Sequence, residues 1–261
     1  MASLFNSYLL KAVEEIHSKY ARKGYASAAY THDLTIGSIK LLATNRPYTM
    51  CVAAQMEIIV TAINIYVAET EDQKPLTYLP ENEWKKLNGS SFKSMVWLAE
   101  GSNSNGTADA LETYGMGKVV NFDELTPGGF INLNRTNGTG HAVLFISYID
   151  KHGYQIDEYN NSVAGFKYYS SQGKKSDGGF DYRLAFFGDV CPQVPDAVKR
   201  DCGVIYSDKQ KLLNTGVMFM PNEWNQEKAI LFQSIEKIEK DLSEDYINPK
   251  YLDQTTTDEL G

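Results

Sequence analysis

The chain has few residues of the kinds that bind metals or nucleic acids. Its 261 residues include three cysteines and four histidines, and these show no spacing typical of zinc ligands, so no metal or other cofactor is expected. It has no basic run, and its formal net charge is −8 with a pI near 5.1. Binding to a phosphate backbone needs clustered Lys and Arg, so no nucleic-acid partner is expected. No apolar run reaches the roughly 18 to 20 residues that cross a bilayer, which predicts no membrane span. The opening residues MASLFNSYLLKAVEEIHSKY lack both a basic n-region and a small-residue cleavage site, which predicts no cleavable signal peptide. If the protein acts outside the cell that makes it, it must leave by a route that reads no such signal. Internal repeats and interdomain linkers are also absent from the sequence.

The hydrophobic content of 43% and charged content of 22% are those of a globular domain. The expectation is one catalytic domain over residues 1–261, with its core at about 45–190, an added helix at each end and a flexible tail over 250–261. Leu4, Leu9, Leu10, Val13 and Ile16 recur at helical spacing over residues 3–22. A second helix begins near Cys51, with apolar residues so dense that most of its circumference must be buried. Helices are also expected over residues 91–100, 108–115 and 224–244, and a Gly/Ser/Asn loop over 101–107. From residue 118 the texture changes to strands: KVVNF, GFINLNR, HAVLFISYI, YQIDEYN, LAFFGDV and GVMFMP. Lys151, His152 and Gly153 form a hairpin turn between the third and fourth of these. Helices first and an antiparallel sheet afterwards is the α+β pattern.

A lone cysteine is ordinarily a small core hydrophobe. What singles out Cys51 is its place in the first turn of a long helix, where unpaired N–H groups and the positive end of the helix dipole favour a thiolate. Among the histidines, His17 suits a solvated helix face and His152 a turn, while His32 has no assigned place. His141 opens a strong strand after the flexible NGTG segment, where its ring can face a cleft. If the following hairpin pairs in register, Glu158 and Asn160 share one face of the return strand, and that face can lie beside His141 to fix its tautomer.

The stretch ELTPGGFINLNRTNGTGHAVLFISYIDKHGYQIDEYNNS resembles the His-strand hairpin of the CHAP and NlpC/P60 branches of the papain-like cysteine peptidase superfamily. Gly140-His141-Ala142-Val143 and Glu158-Tyr159-Asn160 carry the match, over roughly residues 45–165. A cysteine opening a helix upstream follows the same chain order. The chain departs from the family at Pro127-Gly128-Gly129, where an acid usually stands third, and at Met50, where NlpC/P60 members commonly have Asp. These differences bear on the branch, not on the nucleophile or base. The resemblance implies a papain-like α+β fold, with the nucleophile at a helix N-terminus packed on an antiparallel sheet.

The resemblance further implies hydrolysis of an amide bond in bacterial peptidoglycan, by an endopeptidase or an N-acetylmuramoyl-L-alanine amidase. Cys51 would attack the carbonyl, with His141 as base and Glu158 or Asn160 orienting it. Tyr48 is the candidate second oxyanion donor beside the Cys51 N–H. Arg46 and Arg135 are candidate partners for stem-peptide carboxylates. The segment with Tyr169, Gln172 and Arg183 is expected as a surface β-hairpin or, alternatively, as a groove lining. The chain also looks like type VI secretion amidase effectors, which implies a secretion-apparatus partner, an immunity protein and action in a target cell's periplasm. Two other functions fit the same residues: a papain-fold toxin that deamidates or transglutaminates glutamine, and a non-catalytic binding protein. Cys191 and Cys202 bracket CPQVPDAVKRDC and either close a disulfide or stay reduced, according to the compartment.

Overall fold

In the computed structural model, residues 3–85, 96, 104–195 and 197–235 are described. Helix α1 (Asn6–Tyr20) buries Leu9, Ala12, Val13 and Ile16, the i, i+3, i+4, i+7 stripe that packs a helix on one side. A small hairpin, β1 (Leu34–Ile36) and β2 (Ile39–Leu41), leads to α2 (Cys51–Thr70). Met50 enters α2 in extended conformation, and Glu71 ends it in the left-handed region with its N–H on the Val67 carbonyl. Thirteen α2 residues are buried, from Cys51 to Tyr66, as its nearly unbroken apolar sequence requires. By length and composition α2 could cross a membrane, a possibility the sequence reading missed, but 72% of that window is buried inside the molecule. Two short helices follow, α3 (Lys74–Thr77) and α4 (Glu81–Lys85), and then α5 (Thr107–Thr113).

The remaining strands build one sheet: β3 (Gly117–Val119), β4 (Phe130–Asn134), β5 (Gly140–Ile149), β6 (Gln155–Ile156), β7 (Gly165–Gln172), β8 (Gly179–Phe187), β9 (Ala197–Val204) and β10 (Leu213–Met218). Its order is β3-β10-β4-β5-β7-β8-β9, with β6 paired to β5. Every pairing is antiparallel except β8 with β9. The architecture is α+β, as the element order predicts.

Helix α6 (Gln226–Ile235) is described over the first part of the expected C-terminal helix. The expected helix over 91–100 and the tail over 250–261 lie outside the described residues, apart from Val96, which is buried.

Strand alternation sorts the side chains into two cores. Ala142, Leu144, Phe130, Tyr169 and Phe180 join α1 and α2 on one face of the sheet. Val143, Phe145, Ile131, Leu133, Phe166 and Tyr168 pack on the other, with Phe122 and Leu125 over them. Helix α2 is therefore sandwiched between α1 and the sheet, and its N-terminus comes to the end of the sheet where β5 begins.

The expected return strand is the main correction. The KHG turn forms, with Gly153 at φ +81°, but β6 contributes only Ile156 and Gln155 opposite Tyr148 and Ile149. Residues 157–164 then loop away, and β7 pairs with the opposite edge of β5, setting Ile149 against Gly165 and Leu144 against Tyr169. The β7–β8 segment is a hairpin, as expected, but not a surface one. Strand β7 lies between β5 and β8, with Tyr168 and Tyr169 wholly buried.

Candidate functional site

Cys51 is the first residue of α2 and is 2% exposed, with the Tyr25 hydroxyl donating toward its sulfur at 4.0 Å. The entry to the helix is held firmly. The Thr49 carbonyl accepts from the Ser171 hydroxyl at 3.2 Å on β7 and from the Ala26 N–H at 3.4 Å. One turn along, the Gln55 side-chain amide donates to the Ala142 carbonyl at 3.1 Å and to the Cys51 carbonyl at 3.4 Å. A single buried amide thus bridges the residue that opens α2 and the residue after His141. The backbones of Cys51 and His141 are brought together at one end of the sheet.

The two side chains sit in different packing environments. Cys51 belongs to the core between helices and sheet. His141, 3% exposed, shares its β5 face with Val143 and Phe145, and its ring meets Tyr168 edge-on at 5.5 Å and 78°. The two side chains therefore lie on opposite faces of the sheet, and the structure brings together their backbones but not the thiol and the imidazole.

Beneath Tyr168 lies a buried ion-pair network absent from the sequence reading. The Tyr168 hydroxyl donates to Asp201 Oδ1 at 3.0 Å, and Arg135 Nη2 donates to the same oxygen at 3.0 Å. Arg183 Nη1 donates to Asp201 Oδ2 at 3.2 Å. Arg135 also donates to Thr139 Oγ1 at 3.2 Å, two residues before His141. Asp201 is fully buried, and its chain neighbour Cys202 forms a disulfide with Cys191. The visible clue in the sequence was an acid in strand context, between Arg200 and Cys202.

Several expected site residues are placed elsewhere. Glu158 and Asn160 are exposed and lie past the β6 pairing, at the far end of β5. From Tyr148 back to His141 the strand spans roughly 23 Å at about 3.3 Å per residue, so neither side chain orients that imidazole. Asn160 instead closes its own turn, accepting from the Ser162 N–H at 2.9 Å. Arg135 is 1% exposed and committed to Asp201, so it is not a surface partner for a carboxylate. Gln172, likewise buried, donates to the Asp181 carbonyl at 2.8 Å inside the sheet rather than lining an open groove. Arg46 is exposed and paired with Asp33, whose carboxyl is held down to about 2 by the Ala43 N–H, then by Lys40 and Arg46. Tyr48 is half-buried, its ring occupying the place a side chain at Gly24 would fill, where φ is +118°. His17 is not on a solvated face; its ring packs against Tyr182 at 5.1 Å and Tyr169 at 5.8 Å.

A second polar cluster involves Glu57, the one charged residue on α2 before Glu69. It is fully buried and accepts from the Thr31 N–H at 2.9 Å and the Thr31 hydroxyl at 2.6 Å. Burial pushes its carboxyl up to about 7, against the lowering effect of those hydrogen bonds. His32 Nδ1 lies 2.9 Å from the Thr31 hydroxyl and 3.6 Å from Glu57, with its ring stacked on Tyr20 at 4.5 Å. Burial lowers the His32 pKa, with Lys19 adding to that effect.

Among the described residues, no group of three or more His, Cys, Asp or Glu side chains is arranged to hold a metal ion. Comparison with known proteins gives no match: no family model, no curated protein and no solved structure is similar to this chain.

Proposed function

We propose that this chain is a papain-like cysteine amidohydrolase acting on an amide bond of bacterial peptidoglycan, with Cys51 as nucleophile and His141 as base. The observation that supports this reading is the Gln55 bridge, which ties the first turn of α2 to the start of β5 and so brings the backbones of Cys51 and His141 to one end of the sheet. The chain order, cysteine on a helix and then histidine on a strand, is that of the CHAP and NlpC/P60 branches.

In this mechanism the N-terminus of α2 stabilises the thiolate, which attacks the scissile carbonyl. The tetrahedral oxyanion accepts from the Cys51 N–H. Tyr25, whose hydroxyl stands beside the sulfur, replaces Tyr48 as the candidate second donor. His141 delivers a proton to the leaving amine and then draws one from the water that clears the acyl-enzyme. The step requires the imidazole to reach the thiol around the end of β5 when substrate is bound.

The Cys191–Cys202 disulfide supports action in an oxidising compartment, such as the periplasm of a target cell reached through a type VI apparatus. A cognate immunity protein is the partner this delivery route calls for. Burial of both Cys51 and His141 favours a second reading, a non-catalytic binding protein on the same scaffold.

Incubation with purified peptidoglycan, followed by mass spectrometry of the muropeptides, separates the readings. The expected result is new cleavage products with the wild type and none with Cys51→Ala. Unchanged muropeptides together with a thiol that reacts rapidly with iodoacetamide would point instead to acyl chemistry on a protein glutamine. Unchanged muropeptides with an inert thiol would support the binding protein.

A further inference from the structure

We infer that the resting imidazole of His141 is positioned by Tyr168, on the sheet face opposite Cys51, and that the buried Asp201–Arg135–Arg183 network fixing the Tyr168 hydroxyl, not Glu158 or Asn160, sets the orientation from which the imidazole must move to act. The inference rests on His141 being the base.

The argument begins with the two rings. An edge-on contact at 5.5 Å is the favoured geometry for aromatic groups and restricts how the imidazole can turn. The Tyr168 ring is itself pinned, because its hydroxyl donates to Asp201 Oδ1. Asp201 is in turn held by both arginines, one from the turn before β5 and one from β8. Arg135 also grips the backbone leading into His141: its N–H donates to the Thr139 carbonyl at 2.8 Å and its guanidinium to the Thr139 hydroxyl at 3.2 Å. The network therefore controls the wall against which the imidazole rests and the turn that delivers it. Cys202 ties the Asp201 segment to the chain after β8.

Among the described contacts, the charged and titratable groups joined on this face are Asp201 from β9, Arg183 from β8, Tyr168 from β7 and Arg135 from the β4–β5 turn, with Asp189 bonded to Thr136 in that turn. Removing the Asp201 charge takes away the carboxylate that both guanidinium groups share. An imidazolium loses a nearby negative charge that favours it, so the His141 pKa should fall.

Three variants are compared with the wild type: Tyr168→Phe, Asp201→Asn and Cys51→Ala. Circular dichroism checks that each is folded. Tyr168→Phe keeps the ring and loses only the hydroxyl; it is expected to lower kcat about tenfold with KM little changed. Asp201→Asn is expected to move the alkaline limb of the kcat/KM profile, which reports loss of the imidazolium proton, about one unit toward lower pH. Nuclear magnetic resonance titration of His141 should show the same displacement without relying on turnover. Wild-type kcat and an unmoved His141 titration in Tyr168→Phe and Asp201→Asn, beside an inactive Cys51→Ala, would overturn the inference alone. An active Cys51→Ala would overturn the catalytic reading, and the resonance titration would still decide the positioning. Should Asp201→Asn not fold, Tyr168→Phe carries the test.

Discussion

At the scale of single residues, Glu57 makes the clearest claim about pH. An unfolded glutamate ionises near its ordinary value of 4.5, whereas folded Glu57 keeps its proton to about 7. Between those two values the folded state binds more protons, so this residue's contribution to stability falls as pH rises and levels off above about 7. At roughly 1.4 kcal/mol for each pH unit of displacement, the effect is at most a few kcal/mol. His32 acts in the opposite sense. Its lowered pKa means the unfolded state binds the extra proton, so its contribution grows as pH rises toward the ordinary histidine range. Urea midpoints measured from pH 4.5 to 8 should therefore fall less steeply than Glu57 alone dictates. Glu57→Gln should remove the falling part and leave a shallow rise.

That Cys51 opens an apolar helix and His141 stands at the start of a strong strand was legible in sequence, because position carries that information; which face of the sheet each side chain takes was not. Asp201 and Glu57 were not legible as site or switch residues. Their importance comes from burial, and burial depends on partners distant in sequence, such as Arg135 and Thr31.

At the scale of elements, α1, α2, α5, α6 and the α+β order followed from the sequence pattern, while the short α3 and α4 and the partnership of strands did not. YQIDEYN has strand texture, but a two-residue pairing at its start is all that β5 accepts from it, because β4 already holds that edge from Gly140 to Leu144, while β7 takes the opposite edge. Alternation within a strand is visible in a sequence; which strand comes to lie beside it is not. It follows that Glu158→Ala and Asn160→Ala should leave muropeptide cleavage within about twofold of wild type, and a loss of a hundredfold or more would restore them to the site. The Gln55 bridge makes the opposite prediction. Gln55→Ala removes a buried amide from the Ala142 carbonyl and should cost about 1 to 3 kcal/mol by urea unfolding. It should also reduce turnover by loosening the helix start against β5.

At the scale of the whole molecule, the disulfide closes a short loop at the sheet margin, with its cysteines 11 residues apart. A loop of that size stabilises by about 3 kcal/mol in the chain-entropy account. Paired Cys191→Ser and Cys202→Ser changes, or reduction with a thiol, should lower the thermal midpoint by several degrees in a calorimetric scan.

The place of β10 matters for the order of assembly. Residues Leu213–Met218 enter between β3 and β4, strands that precede them by some eighty residues or more. Until that late segment arrives, β4 presents a row of unpaired backbone groups along one side, and the gap must be closed over a long intervening chain. Folding should thus be slow and should finish from the C-terminal side. For a chain released from the ribosome, or refolding after translocation, this leaves a period in which it is open to capture by a chaperone and prone to self-association. Pulsed hydrogen exchange during refolding should show the β4 amides protected no earlier than those of β10.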